Sequence, residues 1–312
     1  MRIVILGFFL ALAAVVDAQT TEEKTLITTT GELKGTLYLP KQTNKLSLVI
    51  IQAGSGATDR NGNSLPTIKA NSYKLIAESL AVNNIATLLM DKRGIAGSFK
   101  AMTAEKDLRF DSYSNDLAEW VRLIKKDNRF DKIFLAGHSE GSLVAMLAAQ
   151  IEKVNGYISL AGAGESIDKI IVWQYKQQLP KVAIVVDSLF ARIHNNQKLD
   201  SVPPMLMSIF RPSVQPYIAS WIKYNPCIEI AKLKMPVLII QGTTDLQVQI
   251  NQANMLHNCK PKATYALLDG MNHILKEAPI DQQKNIATYS DINLGLHKDL
   301  IGVIVKFINT KK

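Results

Sequence analysis

A serine stands in GHSEG, Gly137–Gly141, with a glycine two positions to either side. The pentapeptide follows the apolar run IFLA and precedes a segment with Leu143, Val144 and Leu147 at helical spacing. A strand, a tight turn and a helix would raise the Ser139 hydroxyl on a strained elbow above a sheet edge, the glycines permitting close approach. A serine hydroxyl is a weak nucleophile until a base takes its proton, so acyl-transfer chemistry here requires a histidine and an acid to orient it. Of the five histidines, His138 adjoins the serine but is expected to point away along the turn. His194 lies in a helical, proline-punctuated stretch, and His257 and His297 fall in helical patterns that suit packing or surface roles. His273, in GMNH just past TYALLDG, leaves a strand at its carboxyl end, where ligands gather in an open α/β sheet. It is the expected base. Asp245, in QGTTD after the run VLIIQ, is the expected orienting acid, and Asp269, in the same loop as His273, is expected to support the turn.

Those residues need elements to position them. Continuous apolar runs at Leu48–Ala53, Ile85–Met90, Ile133–Gly137, Tyr157–Ala161, Val237–Gln241 and Tyr265–Leu268 read as strands buried on both faces of a parallel sheet. Helical spacing falls between them at Ser72–Val82, Tyr113–Lys126, Ser142–Ile151, Ile250–His257 and Leu294–Ile308. Such alternation implies right-handed crossovers with helices on both faces of a mostly parallel α/β sheet. Thr25–Thr30 and Glu32–Pro40 alternate and predict an antiparallel hairpin. From about residue 165 to 230 the strand pattern stops, and helix-like segments are punctuated by Pro180, Pro203, Pro204, Pro212 and Pro216. So long a stretch exceeds a simple loop, and the strand pattern resumes at Val237, so a helical cap inserted before the acid-bearing strand is expected. Its Trp173, Tyr175, Phe190, Met205, Met207, Phe210 and Trp221 are expected mostly to pack between cap and sheet, a few walling an apolar pocket.

Composition narrows the class. The 312 residues include 36 Lys and Arg against 27 Asp and Glu, a net +9, with 47% hydrophobic residues, which excludes a disordered or fibrous chain. Arg2, the apolar run Ile3–Val16 and small residues at Val16 and Ala18 read as a signal peptide over residues 1–18. The run falls short of the ~20 residues of a membrane span. Residues 19–312 are therefore expected as an exported catalytic domain, periplasmic or secreted, with no stable membrane span after cleavage. The cationic residues form no block and no stripe interleaved with aromatics, so no nucleic-acid partner is expected. Cys227 and Cys259 cannot build a cysteine zinc site. Whether they pair in an oxidising compartment or stay as buried thiols is open.

With GHSEG, two further stretches make the chain resemble an α/β-hydrolase. AGSGATDRNGN, Ala53–Asn63, is similar to the first catalytic loop, AGSGPTDRDGN, of one group of serine esterases in that fold. MDKRGIAGS, Met90–Ser98, is similar to its YDxRGxGxS segment, and the likeness runs through SIFRPSVQPYIASWIKY, Ser208–Tyr224. Ala57 replaces the usual Pro and Asn61 the usual Asp. The order Ser139, Asp245, His273 is that of the fold's triad. The resemblance implies that Asp59, Arg60, Asp91 and Arg93 brace loops. A tetrahedral intermediate also needs amide donors for its oxyanion, and the amides of Glu140 and Ser55 are the expected pair, Gly54 and Gly56 letting the backbone turn inward.

The expectation is hydrolysis of a small-molecule carboxylic ester through an acyl-serine intermediate, with no metal and no organic cofactor. The triad does not choose between esters and amides. A serine peptidase or amidase therefore stays open, with Asp168, Asp187 or Asp200 as acids for a free amino terminus. A non-catalytic binding protein is the remaining alternative, and it would not need all three triad residues.

Overall fold

The computed structural model describes residues 19–41, 45–102 and 104–310. The expected signal peptide, residues 1–18, lies outside the described residues. The chain opens on β1 (Gln19–Thr28) and β2 (Gly31–Pro40), an antiparallel hairpin with Thr28 opposite Gly31. β1 begins well before the alternating run at Thr25. Its first residues, QTTEEK, pair through the backbone along an outer edge and bury no apolar side chain, so hydropathy does not reveal them. β3 (Leu46–Gln52), the short pair β4 (Asn63–Ser64) and β5 (Ile68–Lys69), α1 (Ser72–Val82) and β6 (Ile85–Met90) follow. Next come α2 (Phe110–Lys125), β7 (Phe130–His138), α3 (Glu140–Ile151) and β8 (Gly156–Leu160).

Between β8 and the next strand the chain passes through α4 (Ile167–Gln178), α5 (Pro180–His194), α6 (Met207–Phe210), α7 (Gln215–Trp221) and α8 (Pro226–Lys232). Prolines start these helices rather than break them. Pro180 and Pro226 sit in the first turns of α5 and α8, where a missing N–H costs nothing, and the Asn225 side chain caps α8 by accepting from the Cys227 amide at 2.9 Å. β9 (Val237–Gly242), α9 (Ile250–Cys259), β10 (Thr264–Leu268), α10 (Gln282–Ala287) and α11 (Leu300–Thr310) complete the chain.

The eight-stranded sheet has the order β1-β2-β6-β3-β7-β8-β9-β10, antiparallel at β1-β2 and β2-β6 and parallel from β6 to β10. Strands β6, β8 and β9 are buried along their whole length because helices cover both faces. On one face Leu48, Ile50, Leu135 and Tyr157 pack with α2, α3 and the inserted helices. On the other, Val49, Ile51, Phe134 and Leu238 pack with α1 and α11. Helix α2 follows its amphipathic pattern, burying Phe110, Tyr113, Leu117, Trp120, Val121 and Ile124 on one stripe.

The last helix starts at Leu300 rather than at Leu294. Residues 294–299 are held instead against the loop after β10 by a bridge between Lys276 and Leu296 and by the His297 amide donating to Leu275 O at 2.9 Å. These long-range bonds override a helical pattern that is only local.

Cys227 in α8 and Cys259 at the end of α9 form a disulfide, with Cα atoms 5.5 Å apart. It ties the end of the inserted helices to the helix after β9. Iodoacetamide is accordingly expected to modify neither cysteine of the denatured protein before reduction and both after it. Alkylation without reductant would remove the bond from the picture.

Candidate active site

β3 lies between β6 and β7, so the chain leaves it in one direction and returns on the other side, a switch point at the carboxyl edge of the sheet. Ser139 sits there, between β7 and α3, with φ 54° and ψ −121°. A side-chain-bearing residue held in that region costs about 1–3 kcal/mol, and the surrounding packing enforces it. A Cβ on Gly137 would lie 2.1 Å from the Gly141 carbonyl oxygen, and one on Gly141 would lie 2.4 Å from that of Gln52. Strand β7, helix α3 and the end of β3 can therefore meet only through glycine at both positions.

Asp245 follows β9 and His273 follows β10, both buried. His273 Nδ1 donates to Asp245 Oδ2 at 2.8 Å. Gln241 Nε2 donates to the same oxygen at 3.1 Å, and the amides of Gln247 and Val248 donate to Oδ1 at 2.8 and 2.9 Å. Four donors fix the carboxylate, which in turn holds the ring with its proton on Nδ1 and Nε2 free to accept one. Asp269 is exposed and accepts from Thr243 Oγ1 at 2.9 Å, supporting the turn. Of the other histidines, His194 pairs with Asp168 at 3.1 Å, His257 stacks on Tyr265, and His297 Nε2 bonds the Asp269 carbonyl.

His138 has a larger part than its sequence position suggested. Its Nδ1 lies 2.8 Å from Tyr73 Oη and its Nε2 lies 2.7 Å from the His273 carbonyl oxygen. Tyr73 Oη also accepts from the Gly54 amide at 3.2 Å, so the phenol proton goes to His138 Nδ1 and His138 Nε2–H goes to His273. One relay thus joins the loop after β3, the elbow strand and the loop of the proposed base. Burial, and then the neighbouring His273, pushes the His138 pKa down from an ordinary 6.5 to about 3. The ring stays neutral when folded and takes a proton when unfolded, so stability is present above pH 6.5 and is lost as pH falls toward about 3. The loss is up to about 1.4 kcal/mol per pH unit. Urea unfolding across that window should show this slope in the wild type and a shallower one in His138→Gln; equal slopes would refute a buried neutral ring.

Ser55 and Glu140 both line the cavity beside Ser139. The buried Lys92 ammonium donates to the carbonyls of Gly54, at 2.5 Å, and Gly56, at 3.0 Å, clamping the loop from both sides of Ser55. The Glu140 amide opens α3, where the first-turn N–H groups have no acceptor within the helix. Among the described hydrogen bonds, neither the Ser55 nor the Glu140 amide is engaged. Below the loop, Arg60 donates to the buried Asp91 from its amide and from Nε, and Arg93 grips Asp116 through two bonds of 3.0 and 2.6 Å. Asp59 Oδ1 accepts the amides of Asn61 and Asn63 at 2.9 Å each.

The cavity, of about 510 Å³, lies between the carboxyl edge of the sheet and the inserted helices. Its walls include Ile95, Leu143, Ile170, Ile209, Ile218 and Trp221. Of the aromatic and apolar residues of the insertion expected mostly to pack between cap and sheet, Phe190 and Phe210 pack on each other in the core at 4.9 Å, Trp221 lines the cavity, and Met205 and Met207 are exposed. Its carboxylates are Glu105, Glu140 and Glu165, not Asp168, Asp187 or Asp200. Tyr73, Lys92 and Tyr217 were not legible as site residues, because each looks like ordinary core or loop composition until the fold brings it in. Among the described residues, no cluster of His, Cys, Asp or Glu is arranged to hold a metal ion.

The family described as serine aminopeptidase, S33, matches residues 68–220. The chain is 25% identical over 282 residues to Esterase EstD of Thermotoga maritima, a match covering 86% of this chain and 65% of that protein. The chain thus spans just under two thirds of the length of this relative. Est1E from Butyrivibrio proteoclasticus superposes with a TM-score of 0.60 at 17% identity, covering 92% of this chain and 99% of that one. XC6422 from Xanthomonas campestris, described as an a/b serine hydrolase without lid, superposes at 0.53 with 15% identity, covering 93% and 94%. No described helix is long and apolar enough to cross a membrane.

Proposed function

From the premise that this chain has the α/β-hydrolase fold, we propose that it is a serine hydrolase of carboxylic esters working through an acyl-serine intermediate. One arrangement carries the reading: a strained serine elbow opens onto the cavity, and the ring of His273, held by a four-bonded carboxylate, lies 4.8 Å from that of His138, the serine's neighbour in the chain. Ser139 Oγ attacks the ester carbonyl as His273 Nε2 takes its proton. The oxyanion is received by the amides of Ser55 and Glu140, a contribution of about 3 kcal/mol for a well-placed donor. The C–O bond to the alcohol breaks as His273 returns the proton to the leaving oxygen, and water, activated by the same ring, then releases the acid. The largely apolar cavity suits an acyl or alcohol group of modest size.

Similarity to the Thermotoga esterase supports an ester, and similarity to the serine aminopeptidase family supports a second reading, cleavage of aminoacyl amides. Fluorophosphonate labelling mapped to the Ser139 peptide, followed by matched ester and aminoacyl-amide substrates, decides between them. Absence of labelling together with no ester turnover would leave a non-catalytic protein. We further propose export after cleavage at Ala18; the Cys227–Cys259 bond supports an oxidising compartment, and fractionation with amino-terminal sequencing tests it.

A further inference from the structure

The carboxyl of Glu140 is a buried acid that the mechanism above does not use. The residue is 8% exposed, lines the cavity and adjoins the nucleophile in sequence. Its Oε1 accepts from Tyr217 Oη of α7 at 2.8 Å, and among the described residues its other oxygen takes no hydrogen bond. The other charged groups of the cavity are satisfied. Arg211 and Glu105 pair with each other, Arg93 holds Asp116, and Lys92 holds two carbonyls. Glu165 takes a bond from Gln252 Nε2 at 2.8 Å and is partly open to water. A buried carboxylate with half its acceptors empty is costly, so an oxygen left open toward the cavity is suited to a donor that arrives with a ligand.

Building on the acyl-serine reading, we propose that the free oxygen of Glu140 receives a hydroxyl carried by the substrate close to the ester carbonyl, making hydroxylated esters the preferred substrates. A hydroxyl suits the site better than an ammonium. Lys92, itself buried, already acts electrostatically on Glu140, and a second cation would leave an unbalanced charge in a dry pocket, whereas a hydroxyl adds none. Tyr217 holds the carboxyl from the inserted helices, so those helices set substrate choice as well as cavity shape.

The experiment compares kcat/KM within matched pairs on the full-length mature protein. One arm sets p-nitrophenyl β-hydroxybutyrate and β-aminobutyrate against p-nitrophenyl butyrate, and the other sets glycerol monobutyrate against propyl butyrate. We expect the hydroxylated member to lead in one arm by at least about tenfold, which also says whether the hydroxyl belongs to the acid or the alcohol. In the double variant Glu140→Met with Tyr217→Phe, which removes both ends of the buried bond without stranding either, that ratio should fall to near unity. Turnover of butyrate with no hydroxyl preference in either arm overturns this proposal while leaving the hydrolase reading intact. A preference that survives the double variant, or a larger one for the amine, also overturns it. No turnover of any ester, with no fluorophosphonate labelling, overturns both.

Discussion

Ser139→Ala should lower kcat for ester hydrolysis by on the order of 10⁵-fold or more and abolish fluorophosphonate labelling, with folding stability changed by no more than about 0.5 kcal/mol. The chemical loss is large because no other hydroxyl stands on the elbow: Ser55 lies on the loop after β3 and Ser208 in α6. Tyr73 is committed to His138 and the Gly54 amide, and Tyr217 to Glu140. The stability is preserved because alanine keeps the Cβ and with it the same backbone strain at φ 54°. Ser139→Gly separates the two effects: it should be equally inactive yet more stable than Ser139→Ala by about 1 kcal/mol, since glycine occupies positive φ without penalty. Denaturant unfolding and steady-state kinetics on the three proteins test this together. Full ester turnover by the alanine variant would sink the proposed function.

Asp245→Asn should cost about 10⁴-fold in kcat while leaving the protein folded. The carboxylate accepts from four donors, and an asparagine cannot. If its oxygen stays on the Gln247 and Val248 amides, its NH₂ faces His273 Nδ1 and Gln241 Nε2. The imidazole then moves its proton to Nε2 and can no longer take one from serine. If the amide flips, the half-buried Gln247 and buried Val248 backbone N–H groups are stranded, at about 1–3 kcal/mol for the buried one. The first outcome reads as lost kcat with little change in the unfolding midpoint, the second as lost stability too. Retention of wild-type kcat would exclude Asp245 as the orienting acid and reopen the search at the carboxyl edge of the sheet.

Much of the fold was legible because its signals are short-range. Continuous apolar runs mark β6, β8 and β9, and α1 falls where periodicity puts it, at Ser72–Val82. The misplacements are where distant backbone partners decide. The first residues of β1 pair along an edge with no apolar signal, and the start of α11 gives way to a bridge with Lys276. The cysteines show the same divide. Either pairing or burial fits their composition, and only the proximity of α8 and α9 makes the bond.

At the candidate site, the sequence alone determined the elbow, because a strand, two glycines and a helix within a few residues dictate the backbone that lifts Ser139. It also set the candidate acid and base, since Asp245 and His273 each follow an apolar run that can end only at the carboxyl edge of a parallel sheet. Only the tertiary structure decided what surrounds them. Lys92 on the loop after β3, the relay from Tyr73 through His138 to the His273 carbonyl, and Tyr217 on Glu140 are contacts between groups from about forty to more than a hundred residues apart. No spacing encodes them, because side-chain direction and burial are set by the packing of whole elements and not by the neighbours along the chain.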